Sequence, residues 1–201
     1  MDVRQTDELF PGYCRDILQV RSKAGGFVPL DLNRAQMRLW RRELVSTRRR
    51  KLRLKSRQMG ITTKYLAQAL QRCQLLDGYT VGIAAFKGTD ATNVYENLSE
   101  MYHNQREDWK KRARLISDNK DGLAWKNGSR IHMFSQGGKE PARGYTLQML
   151  HCTEYGKWVN PGETLAAMLP AVVPNGDIII ESTAGGFNDY ETIVLDTIGT
   201  L

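Results

Sequence analysis

The chain of 201 residues contains no run of about 18 apolar residues, so the sequence offers no membrane-spanning helix. Its first residues, Met1-Asp2-Val3-Arg4-Gln5, lack the basic-then-apolar order of a secretion signal. Cysteine is scarce: Cys14, Cys73 and Cys152 are odd in number, far apart and without C-x-x-C spacing, which suggests buried thiols in a reducing compartment rather than disulfides or a metal site. His103, His132 and His151 have no metal-ligand spacing either. There are no internal repeats, no low-complexity tract and no linker-like stretch, and the length suits one α/β domain with a sizeable core. Acid is nearly missing from one region. Between Arg34 and Arg57, Glu43 stands alone against Arg34, Arg38, Arg41, Arg42, Arg48, Arg49, Arg50, Lys51, Arg53, Lys55 and Arg57. The net charge of +7 is concentrated there and at Lys110, Lys111, Arg112 and Arg114. Such clusters suit a polyanion, either nucleic acid or nucleotide phosphate, and serve equally as solvated faces.

What is present reads as alternating helices and strands. Apolar spacing predicts a helix over Glu8 to Val20 with Pro11 in its first turn, then a loop at 22–26 and an extended segment from Phe27 to Leu30. Asn33 can cap a helix from Arg34 to Leu44. Arg49 to Ser56 alternates as a half-buried strand, and Thr62 to Leu76 is helical with Leu66, Leu70, Cys73 and Leu76 on one face. Tyr79 to Phe86 is a strand apolar enough to be covered on both sides, followed by a helix from Thr89 to His103 and a polar, basic stretch from Gln105 to Asn119. Asn127-Gly128 between Leu123–Lys126 and Arg130–Phe134 signals a hairpin. Strands follow at Leu147–Cys152 and Asp177–Glu181, separated by a short helix from Glu163 to Leu169, and Asn188 can cap a last helix to about Ile198. This order predicts an α/β fold with a mostly parallel sheet, an N-terminal helical region over 1–46 and a core over 47–201. Trp40, Trp109, Trp125 and Trp158 read as packing residues.

Chemistry concentrates at one strand-to-helix connection, Lys55-Ser56-Arg57-Gln58-Met59-Gly60-Ile61-Thr62-Thr63. A phosphate-binding loop, G-x-x-x-x-G-K-[ST], belongs at such a place. Gly60 and Thr62 hold their positions, while Lys55 stands for the first glycine and Ile61 for the usual lysine. Three further features share the carboxyl edge of the predicted sheet or precede it: Gln36, whose amide could match the donor–acceptor edge of adenine; Glu154, just beyond an apolar strand; and Ser182-Thr183, beyond another.

The combination resembles the ATPase domain of tailed-phage large terminase subunits, the motors that pump DNA into a procapsid. FVPLDLNRAQ (Phe27 to Gln36) resembles that family's adenine-binding stretch, KSRQMGITT its deviant phosphate loop, LHCTEYGKW (Leu150 to Trp158) its strand-end acidic motif and IIIESTAGG (Ile178 to Gly186) its coupling motif. The resemblance implies a P-loop NTPase of the RecA-like class, with ATP bound by Gln36 and residues 55–63 and with Mg²⁺ held by Thr62 and by the acidic motif. Thr153 stands where the family often has the metal-binding Asp, so the metal would be held through Thr153 or by Glu154 itself. Glu154 would orient the attacking water. Lys55 would supply the missing lysine charge. Arg143, ahead of the acidic strand, resembles a candidate arginine finger acting across a ring, and Arg57 is the competing cis candidate. Ser182 and Thr183 would couple phosphate release to DNA movement. The resemblance further implies double-stranded DNA, a portal protein, a small terminase subunit and a homo-oligomeric ring as partners, in the host cytoplasm at the procapsid portal. No carboxylate cluster of a nuclease follows, so a fragment without nuclease activity is expected. Two rivals stand beside this reading: a superfamily-2-like helicase, and a basic DNA-binding scaffold whose loop is dead.

Overall fold

Pro11 divides the first apolar-periodic segment. In the computed structural model, which describes residues 1–86, 88–136, 141–184 and 190–194, the segment is two helices, α1 (Val3–Glu8) and α2 (Phe10–Ile17). The proline occupies the first turn of α2, where its missing N–H breaks no helical bond. The residues after Ile17 leave the predicted helix and form β1 (Gln19–Arg21), paired antiparallel with β2 (Phe27–Pro29). The helix α3 (Arg34–Val45) starts at a capping box. Asn33 Oδ1 accepts from the Ala35 and Gln36 amides, and Gln36 Oε1 accepts from the Asn33 amide at 2.9 Å.

The core elements then follow in order: β3 (Arg50–Lys55), α4 (Ile61–Leu75), β4 (Thr80–Ala85), α5 (Gly88–His103), α6 (Glu107–Arg112), β5 (Leu115–Asn119), β6 (Gly122–Trp125), β7 (Arg130–Ser135), β8 (Leu147–Cys152), α7 (Pro161–Met168) and β9 (Val172–Thr183). Residues 105–119, which lack apolar periodicity, are ordered as α6 and a mostly exposed β5. Residues 190–194 are helical, and the rest of the helix expected from Asn188 lies outside the described residues.

Seven strands make one sheet in the order β3-β9-β8-β4-β7-β6-β5. The first five are mutually parallel, and β6 and β5 extend the sheet antiparallel. The hairpin is therefore no appendage: β7 pairs directly with β4. Asn127 in its turn donates to the Cys73 and Leu76 carbonyls, both at 2.9 Å, and so satisfies the end of α4.

Two features of this fold position the site. The first is register. Lys55 stands level with Thr183 and Arg53 with Glu181, while Cys152 stands level with Ile180 and with Ala84. The carboxyl ends of β3, β9 and β8 thus open on one edge. The second is α4, which is buried on nearly every side: Tyr65, Leu66, Ala69, Leu70 and Cys73 meet the core, and Lys64, Gln68, Gln71 and Arg72 are buried too. The charges are satisfied internally. Arg72 Nη2 bonds Asp7 Oδ2 on α1 at 2.8 Å and its Nη1 bonds Asp177 Oδ2 on β9 at 2.7 Å, tying the N-terminal helices to the sheet. The three cysteines are buried free thiols, as their scatter suggested.

Candidate nucleotide site

Beyond Lys55 the chain turns through residues 56–60 into α4. Gln58 (φ 62°) and Gly60 (φ 71°) are both left-handed. At Gly60 a second constraint applies, because a Cβ there would lie 2.7 Å from Gln36 Nε2. Gly60→Ala is therefore expected to cost about 1–3 kcal/mol of stability and to distort the loop. A thermal melt and an ADP titration check this; a variant that melts and binds as the native chain does would refute it. The loop is held by its surroundings: Gln36 Nε2 donates to the Gly60 carbonyl at 2.7 Å, Asn33 Nδ2 to the Met59 carbonyl at 3.1 Å, and Lys23 Nζ to Gln58 Oε1 at 2.8 Å. Gln36 is buried, and both ends of its amide are engaged inside the protein, where it fixes the loop against α3. Helix α4 has no side-chain cap and no acid in its first turn. Its first amides form an end suited to an anion.

The lysine at the front of the loop folds back over it. Lys55 Nζ donates to Thr62 Oγ1 at 2.7 Å and lies 3.5 Å from Glu154 Oε1 and 3.3 Å from Glu181 Oε2. Ile61 turns its side chain into the core, so no charge comes from the usual lysine position. Glu154 follows β8 in a left-handed conformation (φ 51°, ψ 37°), a strained backbone of the kind that gathers at working sites. Its Oε2 lies 3.2 Å from Lys157 Nζ and accepts from Thr183 Oγ1 at 3.4 Å. Ser182 Oγ accepts from the Gly156 amide at 3.0 Å. The segments that follow β8 and close β9 are thus in direct contact.

Lys55, Arg57, Gln58, Glu154, Lys157 and Thr183 line a cavity of about 270 Å³. A larger cavity of about 570 Å³ opens on the other side of Lys55, along Arg34, Ala35, Arg38, Leu39, Met59 and Ile61 among others. Ser56 is exposed at the loop's start, and Thr63 is half-buried in the first turn of α4. Arg143 is exposed and does not line the smaller cavity; the residues before it, 137–140, lie outside the described residues.

Glu181 was not singled out by the sequence, and it is fully buried behind Lys55. Its Oε1 accepts from Thr153 Oγ1 at 3.0 Å and lies 3.1 Å from His151 Nε2, while its Oε2 has no hydrogen-bond partner. Burial opposes its charge, but the His151 ring, the Lys55 ammonium and the Thr62 hydroxyl outweigh burial and hold the carboxyl at about 2. A charged residue closing the run Ile178-Ile179-Ile180 is visible in sequence. Its neighbours become visible only with the parallel register that sets β9 between β3 and β8. Among the described residues no group of three His, Cys, Asp or Glu side chains could hold a metal by itself.

No protein-family model matches the chain, and no curated protein resembles it in sequence. Solved structures do match. The bacteriophage HK97 large terminase superposes with a TM-score of 0.75 at 14% identity, covering 96% of this chain and 41% of that one. The ATPase domain of the Thermus phage P74-26 large terminase gives 0.63 at 17% identity, covering 81% of this chain and 69% of that one. The chain has the large terminase ATPase fold. The large terminase of another thermophilic bacteriophage, solved in complex with ADP, gives 0.57 at 16% identity over 83% of this chain and 43% of that one. The α/β fold with a mostly parallel central sheet expected from the sequence is therefore present. The terminase-fold chain spans under half the length of the HK97 protein and of the ADP-bound one. Among its described residues no helix is long and apolar enough to cross a membrane.

Proposed function

We propose that this chain is an ATP-hydrolysing motor domain of a viral large terminase, coupling hydrolysis to the movement of double-stranded DNA. One observation carries the reading: Lys55, Thr62, Glu154 and Thr183, far apart in sequence, meet within hydrogen-bonding or ion-pairing distance where an uncapped helix begins. ADP in the thermophilic-phage relative supports nucleotide as the ligand. In this reading the phosphates lie against the first amides of α4, and Lys55 swings from Thr62 and the carboxylates to the β- and γ-phosphates. The base takes the larger cavity, whose Leu39 and Met59 offer apolar surface. Thr183 senses the γ-phosphate through its bond to Glu154, and Ser182 ties that movement to the turn after β8.

Mg²⁺ fits the donors present. Thr62, Thr153, Glu154 and the buried Glu181 offer oxygen alone, which suits a hard cation shared with nucleotide phosphates. Bound there, the ion would neutralise charge developing on the phosphate oxygens. DNA would meet the exposed Arg34, Arg38, Arg41, Arg42, Arg48, Arg49 and Arg50 through its phosphates, independently of sequence and sensitively to salt. A ring on a portal protein, a small terminase subunit and a cytoplasmic site of action belong to the same proposal.

Lys55→Ala tests the loop. It is expected to weaken ATP binding by about 1.5–3 kcal/mol, roughly ten- to more than a hundredfold in Kd. Calorimetric titration with ATP measures this, and binding within twofold of the native chain would favour the dead-loop scaffold. Strand separation on short duplexes would favour the helicase.

A further inference from the structure

The bond between Lys55 and Thr62 has a wider setting. Three oxygens converge on one ammonium: Thr62 Oγ1 at 2.7 Å, Glu181 Oε2 at 3.3 Å and Glu154 Oε1 at 3.5 Å. A hydroxyl and two carboxylates around one point are the donors of a hard-cation site, and Lys55 fills it. If Lys55 leaves for a phosphate, Glu181 is left fully buried with the His151 ring, 3.1 Å from Oε1, as its remaining basic neighbour among the described residues, and Oε2 loses the ammonium beside it. A buried carboxylate that loses the ammonium beside one of its oxygens is costly, so a replacement cation at that oxygen is favoured. Thr153 cannot provide the missing carboxylate. Its hydroxyl is spent as a donor to Glu181 Oε1 at 3.0 Å, which aims the carboxylate and leaves Oε2 toward Lys55.

We propose that Glu181 is the principal metal-side carboxylate of this site, relocated from the end of β8, where Thr153 stands, to the adjacent strand β9, with Lys55 as a place-holder cation that competes with the metal for the same oxygens. The proposal rests on the nucleotide reading above and adds a residue to it. Thr153 then acts as a positioning residue for Glu181, and Glu154 is left to the attacking water.

The test measures ADP affinity by calorimetry with Mg²⁺ and with chelator. In the native chain Mg²⁺ tightens ADP binding. Glu181→Gln, similar in shape, is expected to lose about ten- to a hundredfold of that gain while its metal-free affinity stays within about twofold. Thr153→Asp added to Glu181→Gln is expected to restore the gain by returning the charge one strand away. An undiminished gain in Glu181→Gln overturns the proposal. So does a parallel loss of metal-free affinity, which would mean that Glu181 only holds Lys55. A second measurement does not depend on substituting Glu181. Lys55→Ala, its place-holder gone, is expected to bind Mn²⁺ alone at least about tenfold more tightly by electron paramagnetic resonance, and unchanged Mn²⁺ affinity overturns the proposal. Failure of the native chain to bind ADP in either condition refutes the nucleotide reading itself, a result separate from the others.

Discussion

Glu154→Gln is expected to bind ATP as the native chain does and to lose turnover by on the order of 10²–10⁴-fold. The amide keeps the size of the side chain and can still accept from Thr183, so the cavity survives. What it loses is the negative charge facing Lys55 at 3.5 Å and Lys157 at 3.2 Å, together with the ability to draw a proton from water. In a loose phosphoryl-transfer transition state the water needs orientation more than early deprotonation, and in the proposed reaction a carboxylate fixed by a left-handed backbone would supply it. ATP titration and phosphate release measured on the same preparation separate binding from chemistry. Hydrolysis within about twofold of native would remove Glu154 from the reaction. The same variant serves Arg143, which does not line the cavity of its own chain. If Arg143 acts across a ring, Arg143→Ala subunits mixed with Glu154→Gln subunits recover ATPase, because some interfaces then join an intact Glu154 to an intact Arg143. No recovery at any ratio, with assembly intact, counts against a finger acting across the ring.

The loop of the candidate site was legible in the sequence, because its parts stand next to one another in the chain. A loop needs a glycine at Gly60, a hydroxyl at Thr62 and a strand before them, all within a few residues. The alternation of β3, the continuous apolar runs of β4 and β8, and the Asn127-Gly128 turn likewise depend on neighbours in sequence. What escaped depends on register across the sheet. Glu181 meets Thr153, His151 and Lys55 only because β9 lies between β3 and β8. Gln36 presents the same limit from the other side. Its residue type suits adenine, but the fold joins it to Asn33 and Gly60, contacts that require α3 to start beside the loop. The split of the first helix turned on Pro11, a single residue whose preference for a first turn outweighed an apolar period spanning both halves.

Glu43→Gln is expected to destabilise the protein by about 3–5 kcal/mol at neutral pH, because it strands a buried cation. Glu43, the lone acid of the basic region, lies on α3 and gathers three groups of the core. Its Oε1 accepts from Tyr65 Oη at 2.6 Å and Arg53 Nη2 at 2.9 Å, and its Oε2 pairs with Lys64. Lys64 is fully buried; its other neighbours include Gln68 Oε1 at 2.9 Å and the Tyr65 and Phe10 rings, 4.2 and 5.7 Å from Nζ to centroid. Burial opposes the charge on Glu43, but Lys64, Lys51 and the Arg53 bond outweigh it and hold its carboxyl at about 2, below the ordinary 4.5. A carboxyl lowered on folding stabilises fully above its unfolded value, and that contribution is lost as pH falls from about 4.5 toward about 2. The variant should lose this acid limb. Lys64 gives the opposite signature. Burial pulls it from 10.5 down to about 8 even with Glu43 beside it. Without Glu43 its proton leaves earlier, while the unfolded chain still holds one, so the variant's deficit shrinks as pH rises from neutral toward about 8. Urea unfolding across pH measures both limbs. A deficit under about 1 kcal/mol at neutral pH, or one that does not change with pH, would show that Lys64 finds other support when Glu43 is gone.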